Sequence, residues 1–412
     1  MKTALSSTLR ACYVALLLST EWGAYASEVN NNDSVVNVDG HEHDLDRVSN
    51  VNMNVTKSKE MVEVDCDGLE CAFDVVDASR GIPSVWARGL VTTEVDPKLI
   101  LQEHARAASS LQKSFRGETL GYVTPWNSRG YDWAKRFRTK FTYISPTWLQ
   151  LREDDDHVPI ITGTHDIDQQ WVHDVKYGSK GDPHEGKGPA IVPRVIYERS
   201  YFKPEDFPVI LYELLSLMTK HDFDGIVFEI PVMQKTLSML QQMARVFRAQ
   251  DKLLILVLPK SSNDGQMPVT HELFSKLAPL VHRFTMNAYD YNIPGPTAPY
   301  QWLKKTLKKM SPMERQRILM GLPFYGFDNS EVLTGSTYIQ LLKDNNIDRI
   351  RWETIAHECR LMHTRAETGS FRLVFYPCLQ FLQDRLQLYK EYGVGVAIWE
   401  LGQGLDYFYD LL

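Results

Sequence analysis

Four carboxylates and a set of aromatic residues recur at one kind of position in this 412-residue chain: the last residues of short apolar segments and the loops just after them. The acids are Glu198, Glu229, Asp290 and Glu400, and the rings are Tyr122, Trp126, Trp148, Tyr289, Tyr291, Phe324, Tyr325 and Trp399. Two carboxylates can divide acid and nucleophile or base roles across a glycosidic bond. Flat ring faces complement the C–H faces of sugars, while carboxylates and amides take the hydroxyls. A cleft of this composition suits a saccharide. The competing readings are rings packed as core and acids held in a structural ion network.

Residues 224–231, D-G-I-V-F-E-I-P, sharpen the question. Near-continuous apolar character over so short a run fits a strand covered on both faces, as in a parallel sheet flanked by helices. An acid inside it needs a partner, so Glu229 is either paired in a core or lines a polar cavity at the strand end. Arg194, on another apolar run, can neutralise one of these acids.

The elements that must position these groups follow from the same alternation. Strand-like runs at 119–124, 140–145, 190–197, 225–230, 253–258, 283–289, 317–322 and 394–401 are separated by helical patterns such as 207–220, 233–250 and 379–392. Eight βα units close more naturally than they lie open, so the expected fold is α/β, a (β/α)8 TIM barrel over residues 81–412. About 70 residues part the last two strands, too many for one helix. A small α+β insertion at about 328–378 is expected there, with strands at 349–352 and 371–376 around a helix at 354–364.

Composition bounds the rest. A net charge of −7 and a pI near 6.0 offer no basic field for phosphates, which argues against nucleic acid as a partner. Lys2 and Arg10, the apolar stretch 11–18 and Ala24-Tyr25-Ala26 read as a signal peptide over residues 1–26, and no later run is long enough for membrane insertion. Residues 27–80 read as a flexible extension carrying two sequons, Asn32-Asp33-Ser34 and Asn54-Val55-Thr56. The expected location is secreted or lysosomal. Cys66 and Cys71 can close a small loop, whereas Cys359 and Cys378 are either bonded or free and buried. His41, His43 and Asp44 read as a solvated polar run, and no cofactor or metal is called for.

The motifs also carry a resemblance over roughly residues 117–412. Leu120-Gly121-Tyr122, the F-D-G beginning at Phe223, Tyr289-Asp290, G-L-P-F-Y-G from Gly321 and Trp399 resemble family-18 glycoside hydrolases. More narrowly, L-G-Y-V-T-P-W-N from Leu120, H-D-F-D-G from His221 and the closing W-E-L-G-Q-G-L-D-Y-F-Y-D-L-L are similar to the chitinase domain-containing, stabilin-interacting chitinase-like proteins. The resemblance implies a lectin-like protein of the secretory and lysosomal pathway that binds chitooligosaccharides, with a sorting receptor as a further partner. It also implies that Tyr289 and Asp290 contact the acetamide region and that Trp399 is the floor under the central sugar.

One departure matters most. Active members carry D-G-x-D-x-D-x-E, whose last Glu protonates the leaving oxygen while the substrate acetamide attacks and the preceding Asp orients it. Aligned on Asp224-Gly225, this chain has Val227 and Glu229 at the two inner Asp positions and Pro231 at the acid. Glu229 lies two residues short of that acid, about 7 Å deeper along the strand. General acid transfer needs contact near 3 Å or one bridging water, so Glu229 is a poor substitute. The expectation is a non-catalytic saccharide-binding cleft using Tyr122, Trp126, Glu229, Tyr289, Asp290, Tyr325, Trp399 and Glu400. The alternatives are a glycosidase of altered mechanism using Glu229, Asp290 and Glu400, and a protein-interaction scaffold with its cleft filled by its own side chains.

Overall fold

Apolar runs buried on both faces fold here into parallel strands, and the strands close on themselves. The computed structural model describes residues 81–412 apart from 182–185, 187, 199–203, 346 and 367. The leader, the extension with its sequons and polar run, and Cys66 and Cys71 lie outside the described residues.

In chain order the strands are β1 Thr119–Val123, β2 Tyr143–Pro146, β3 Leu149–Glu153, β4 Pro159–Thr162, β5 Ala190–Ile191, β6 Arg194–Tyr197, β7 Gly225–Glu229, β8 Leu253–Leu258, β9 Arg283–Met286, β10 Ile318–Pro323, β11 Gly326–Asp328, β12 Glu331–Leu333, β13 Arg351–Glu353, β14 Glu358–Thr364, β15 Phe371–Phe375 and β16 Gly395–Trp399. β1 pairs in parallel with both β2 and β16. β2 pairs with β5 and β3 with β6, after which β6, β7, β8, β9, β10 and β16 follow in turn. The ring therefore closes as an eight-stranded α/β barrel. Its second strand is β2 continued by β3 across Thr147-Trp148, and its third is β5 continued by β6 across Val192-Pro193. Pro193 has no N–H to give the ladder, but its carbonyl accepts from Val227 N at 3.0 Å, so the pairing survives the break. β4 is a hairpin folded back on β3.

Alternation sorts each strand into two layers. Leu120, Tyr122, Tyr143, Val192, Val227, Ile255, Val257, Leu319 and Ala397 fill the barrel interior as one apolar cluster. Their neighbours, including Val123, Ile144, Ile226, Phe228, Leu254 and Leu256, pack outward in the larger cluster beneath the helices. Two-sided burial explains why β7 reads as an unbroken apolar run.

Between β10 and β16, strands β11–β15 form a second sheet in the order β12-β11-β15-β14-β13, antiparallel throughout. The helix of this segment is Gly335–Asp344, capped by Thr334, and not 354–364 as expected. Residues 358–364 form β14 instead, because its edges pair with β13 and β15 and its first residue is pinned elsewhere. Glu358 is fully buried and accepts from the backbone N–H groups of Thr297 and Ala298 at 2.9 and 2.8 Å. Arg385, also fully buried, donates to the carbonyls of Ala298, Ala356 and His357 beside it. Cys359 and Cys378 are joined in a disulfide that ties β14 to the start of helix Leu379–Tyr392.

The distinctive C-terminal stretch is packing. Tyr409 stacks on Phe137 at 4.4 Å between ring centroids and donates to the Leu401 carbonyl at 2.7 Å. Asp410 accepts from the Val85 and Ala108 N–H groups.

Candidate functional site

The interior layer ends in polar and aromatic residues where the strands reach their C-terminal mouths. At this end the layer's Tyr122 and Val257 are joined by Arg194, Glu229, Asn287, Tyr289 and Trp399, which continue the same alternation. These residues, joined by Asp290 and Tyr325, line one open pocket of about 240 Å³. Barrel sites are built at this end because eight loops converge there on a rigid ring.

Glu229 ends β7 pointing inward. Arg194, a diagonal neighbour on β6, donates Nε to Glu229 Oε2 at 2.6 Å, and a second guanidinium nitrogen also reaches that oxygen. The same guanidinium lies 5.2 Å from the centre of the Trp399 ring, and Tyr122 packs against that ring at 5.2 Å. Asp290 follows Tyr289 and has φ +57°, a left-handed conformation that Asp tolerates better than most residues. This turn lets two adjacent side chains face one pocket. Asp290 Oδ1 accepts from the Tyr325 hydroxyl at 2.5 Å, and its backbone carbonyl accepts from Lys260. The Tyr289 hydroxyl donates to Asn287 Oδ1 at 3.1 Å and that of Tyr122 to Thr285 Oγ1 at 3.3 Å. Burial pushes the Tyr122 phenol up to about 12, and burial followed by the Asp290 charge pushes Tyr325 far above its ordinary value. These phenols are hydrogen-bond donors at neutral pH.

Six of the eight expected residues thus share the pocket: Tyr122, Glu229, Tyr289, Asp290, Tyr325 and Trp399. Trp126 and Glu400 do not. Trp126 stands on the loop after β1, 70% exposed, against a different cavity. Glu400 is fully buried and lies just beyond the end of β16, outside the pocket lining. It accepts from Asn127 Nδ2 at 2.5 Å and from Gly402 N at 3.0 Å, serving as the cap of the turn Leu401–Gln403. Helix Ser128–Arg136 reaches this acid through Gly130, where a Cβ would come within 3.0 Å of Glu400 Oε2. Burial raises the Glu400 carboxyl to about 7.

The other strand-end candidates are also accounted for. Glu198 is an exposed partner of Arg152. Trp148 is fully buried and donates to the Tyr131 hydroxyl at 2.5 Å. Phe324 is core, and Tyr291 packs on Trp302. Asn287 and Val257 also line the pocket without being the final residue of a strand-like run, and strict alternation back from Tyr289 and along β8 points to both. Among the described residues, no group of three or more His, Cys, Asp or Glu could hold a metal ion, and no helix is long and apolar enough to cross a membrane.

No family model matches the chain. Solved structures do. A chitinase from Chromobacterium violaceum superposes with TM-score 0.59 at 18% identity, covering 72% of this chain and 98% of that one. The spore cortex-lytic enzyme SleL of Bacillus megaterium gives 0.58 at 13% identity, covering 79% and 83%. A GH18 chitinase from Cycas revoluta, solved in complex with (GlcNAc)3, gives 0.55 at 12% identity, covering 71% and 98%. The chain has the family-18 chitinase fold. At such identities the likeness speaks to the barrel, and the chemistry must be argued from the side chains.

Proposed function

We propose that this chain holds N-acetylglucosamine-containing oligosaccharides in the pocket of Tyr122, Glu229, Tyr289, Asp290, Tyr325 and Trp399 without cutting them. The observation that carries the reading is the state of the acids. Glu229 is committed to Arg194, Asp290 accepts from Tyr325, and the residue at the family's proton-donor position is Pro231, which has no proton to give. Glu400, the carboxyl whose raised pKa would suit a general acid, has both oxygens occupied outside the pocket.

Binding needs none of those protons. The Trp399 ring offers a face, Asp290 and Glu229 accept hydroxyl or amide hydrogens, and Asn287 and the phenols supply further partners around one sugar-sized space. The Cycas revoluta enzyme, of the same fold, was solved with three such sugars. The lectin reading extends to a secreted or lysosomal protein with N-linked glycans at Asn32 and Asn54 and a sorting receptor, as the leader and the stabilin-interacting resemblance suggest.

Calorimetric titration with N-acetylglucosamine oligomers of increasing length, with the same mixtures analysed for products, tests the reading. Binding that disappears in Trp399→Ala with no products supports it. Products that vanish in Glu229→Gln or Asp290→Asn overturn it in favour of a glycosidase of altered mechanism, and an absence of binding favours a scaffold.

A further inference from the structure

A second cavity lies outside the barrel mouth. It measures about 590 Å³ and sits between the loop after β1, the turn after β16 and helix Gly335–Asp344 of the insertion. It shares no lining residue with the pocket of Trp399. Its chemistry also differs. Trp126 presents most of its ring to solvent, Arg129 and Lys343 bring positive charge, and Asn127, Ser336 and Gln403 bring amides and a hydroxyl. No Asp or Glu lines it.

The cations are not equivalent. Arg129 is held in place by an ion pair to the buried Asp406 and by the Trp133 ring, 5.4 Å from its guanidinium carbon, while its side chain stays 45% exposed. Lys343, on the insertion helix, makes no ion pair among the described residues and is exposed. One pre-organised cation and one free cation flank an exposed aromatic face. A neutral ligand would use the ring but leave the charges idle. A simple anion would use the charges but leave the ring idle. Only a ring-shaped ligand carrying an acid group uses both.

We infer that the cavity of Trp126, Arg129 and Lys343 is a second saccharide site, selective for sugars bearing a carboxylate or sulfate group. The sugar ring stacks on Trp126, its acid group takes Arg129 and Lys343, and its hydroxyls take Asn127, Ser336 and Gln403. The charged contacts are exposed, so affinity falls as salt rises. The site is independent of the pocket around Trp399.

The test is calorimetry of the full chain with a heparin-derived tetrasaccharide, a hyaluronan-derived tetrasaccharide, chitotetraose and inorganic sulfate, each at low and physiological salt. At least one acidic tetrasaccharide should bind, more weakly at the higher salt: binding of the hyaluronan sugar shows that a carboxylate suffices, and binding of the heparin sugar alone shows that sulfate is required. Trp126→Ala and Lys343→Glu, both changes at exposed side chains, should each weaken it about tenfold, while Trp399→Ala leaves it unchanged. Failure of both acidic sugars to bind, binding that survives Trp126→Ala, or inorganic sulfate binding as tightly as the sulfated sugar overturns the inference. Chitotetraose in the Trp399→Ala and Trp126→Ala proteins reports on the other pocket separately, so failure of one site is not mistaken for failure of the other.

Discussion

Arg194 and Glu229 meet across adjacent strands with Nε and Oε2 2.6 Å apart, in the wall of the open pocket, and the same guanidinium approaches the Trp399 ring at 5.2 Å. One cation therefore fixes both the acid that ends β7 and the ring that ends β16.

Arg194→Met should loosen both at once. A hydrogen bond to a charged group contributes about 1.5–3 kcal/mol, less here because both side chains are partly exposed, so a loss of about 1–2 kcal/mol in stability is expected from denaturant midpoints. The double variant with Glu229→Gln should lose little more than Arg194→Met alone. Additive losses would show that the two residues act separately.

Tyr325→Phe removes the donor to Asp290 while keeping the ring against Phe327 and Tyr289, at 5.6 and 6.0 Å. Chitooligosaccharide affinity should fall about fivefold, the equivalent of about 1 kcal/mol, with the thermal midpoint nearly unmoved. An unchanged affinity would mean that Asp290 needs no partner to be placed.

Glu400 makes stability pH-dependent with a defined sign. Its carboxyl is raised from 4.5 to about 7 in the fold, so between those values the folded chain keeps a proton that the unfolded chain has lost. Stability from this group therefore falls as pH rises through the window and levels off above it. Glu400→Gln cannot ionise, so its stability relative to the parent should rise on the order of 3 kcal/mol between pH 4.5 and 8. Parallel curves for the two proteins would place the Glu400 proton elsewhere.

The Cys359–Cys378 bond closes a segment with a sequence separation of 19, for which chain entropy predicts about 3 kcal/mol of stabilisation. Reduction, or Cys378→Ser, should lower the denaturant midpoint accordingly. Alkylation of both thiols in the unreduced protein would show that the bond is absent.

Much of the barrel was legible in the residues themselves. A strand buried on both faces is apolar at most positions, so eight strand-like runs alternating with helical patterns announced eight parallel strands, and the last residues of those runs located the mouth. The same local logic carried Tyr122, Glu229, Tyr289, Asp290, Tyr325 and Trp399 to one place, since each ends a strand or lies just beyond it. Residues 354–364 misled because isolated apolar residues such as Ala356, Cys359 and Leu361 fit a helix as well as a strand. Pairing with β13 and β15, and the anchoring of Glu358 beside Arg385, decided the matter through contacts distant in sequence.

The chain's own order of residues determined the barrel and the strand-end side chains Tyr122, Glu229, Tyr289 and Trp399 that face inward at its mouth, because alternation along a strand is a local rule. Only the tertiary structure decided that Arg194 belongs to Glu229, that Glu400 is a buried cap and that Trp126 stands over a cavity of its own. Those outcomes depend on strand register and on how loops cross after the strands end, where alternation stops governing direction and packing between distant segments takes over.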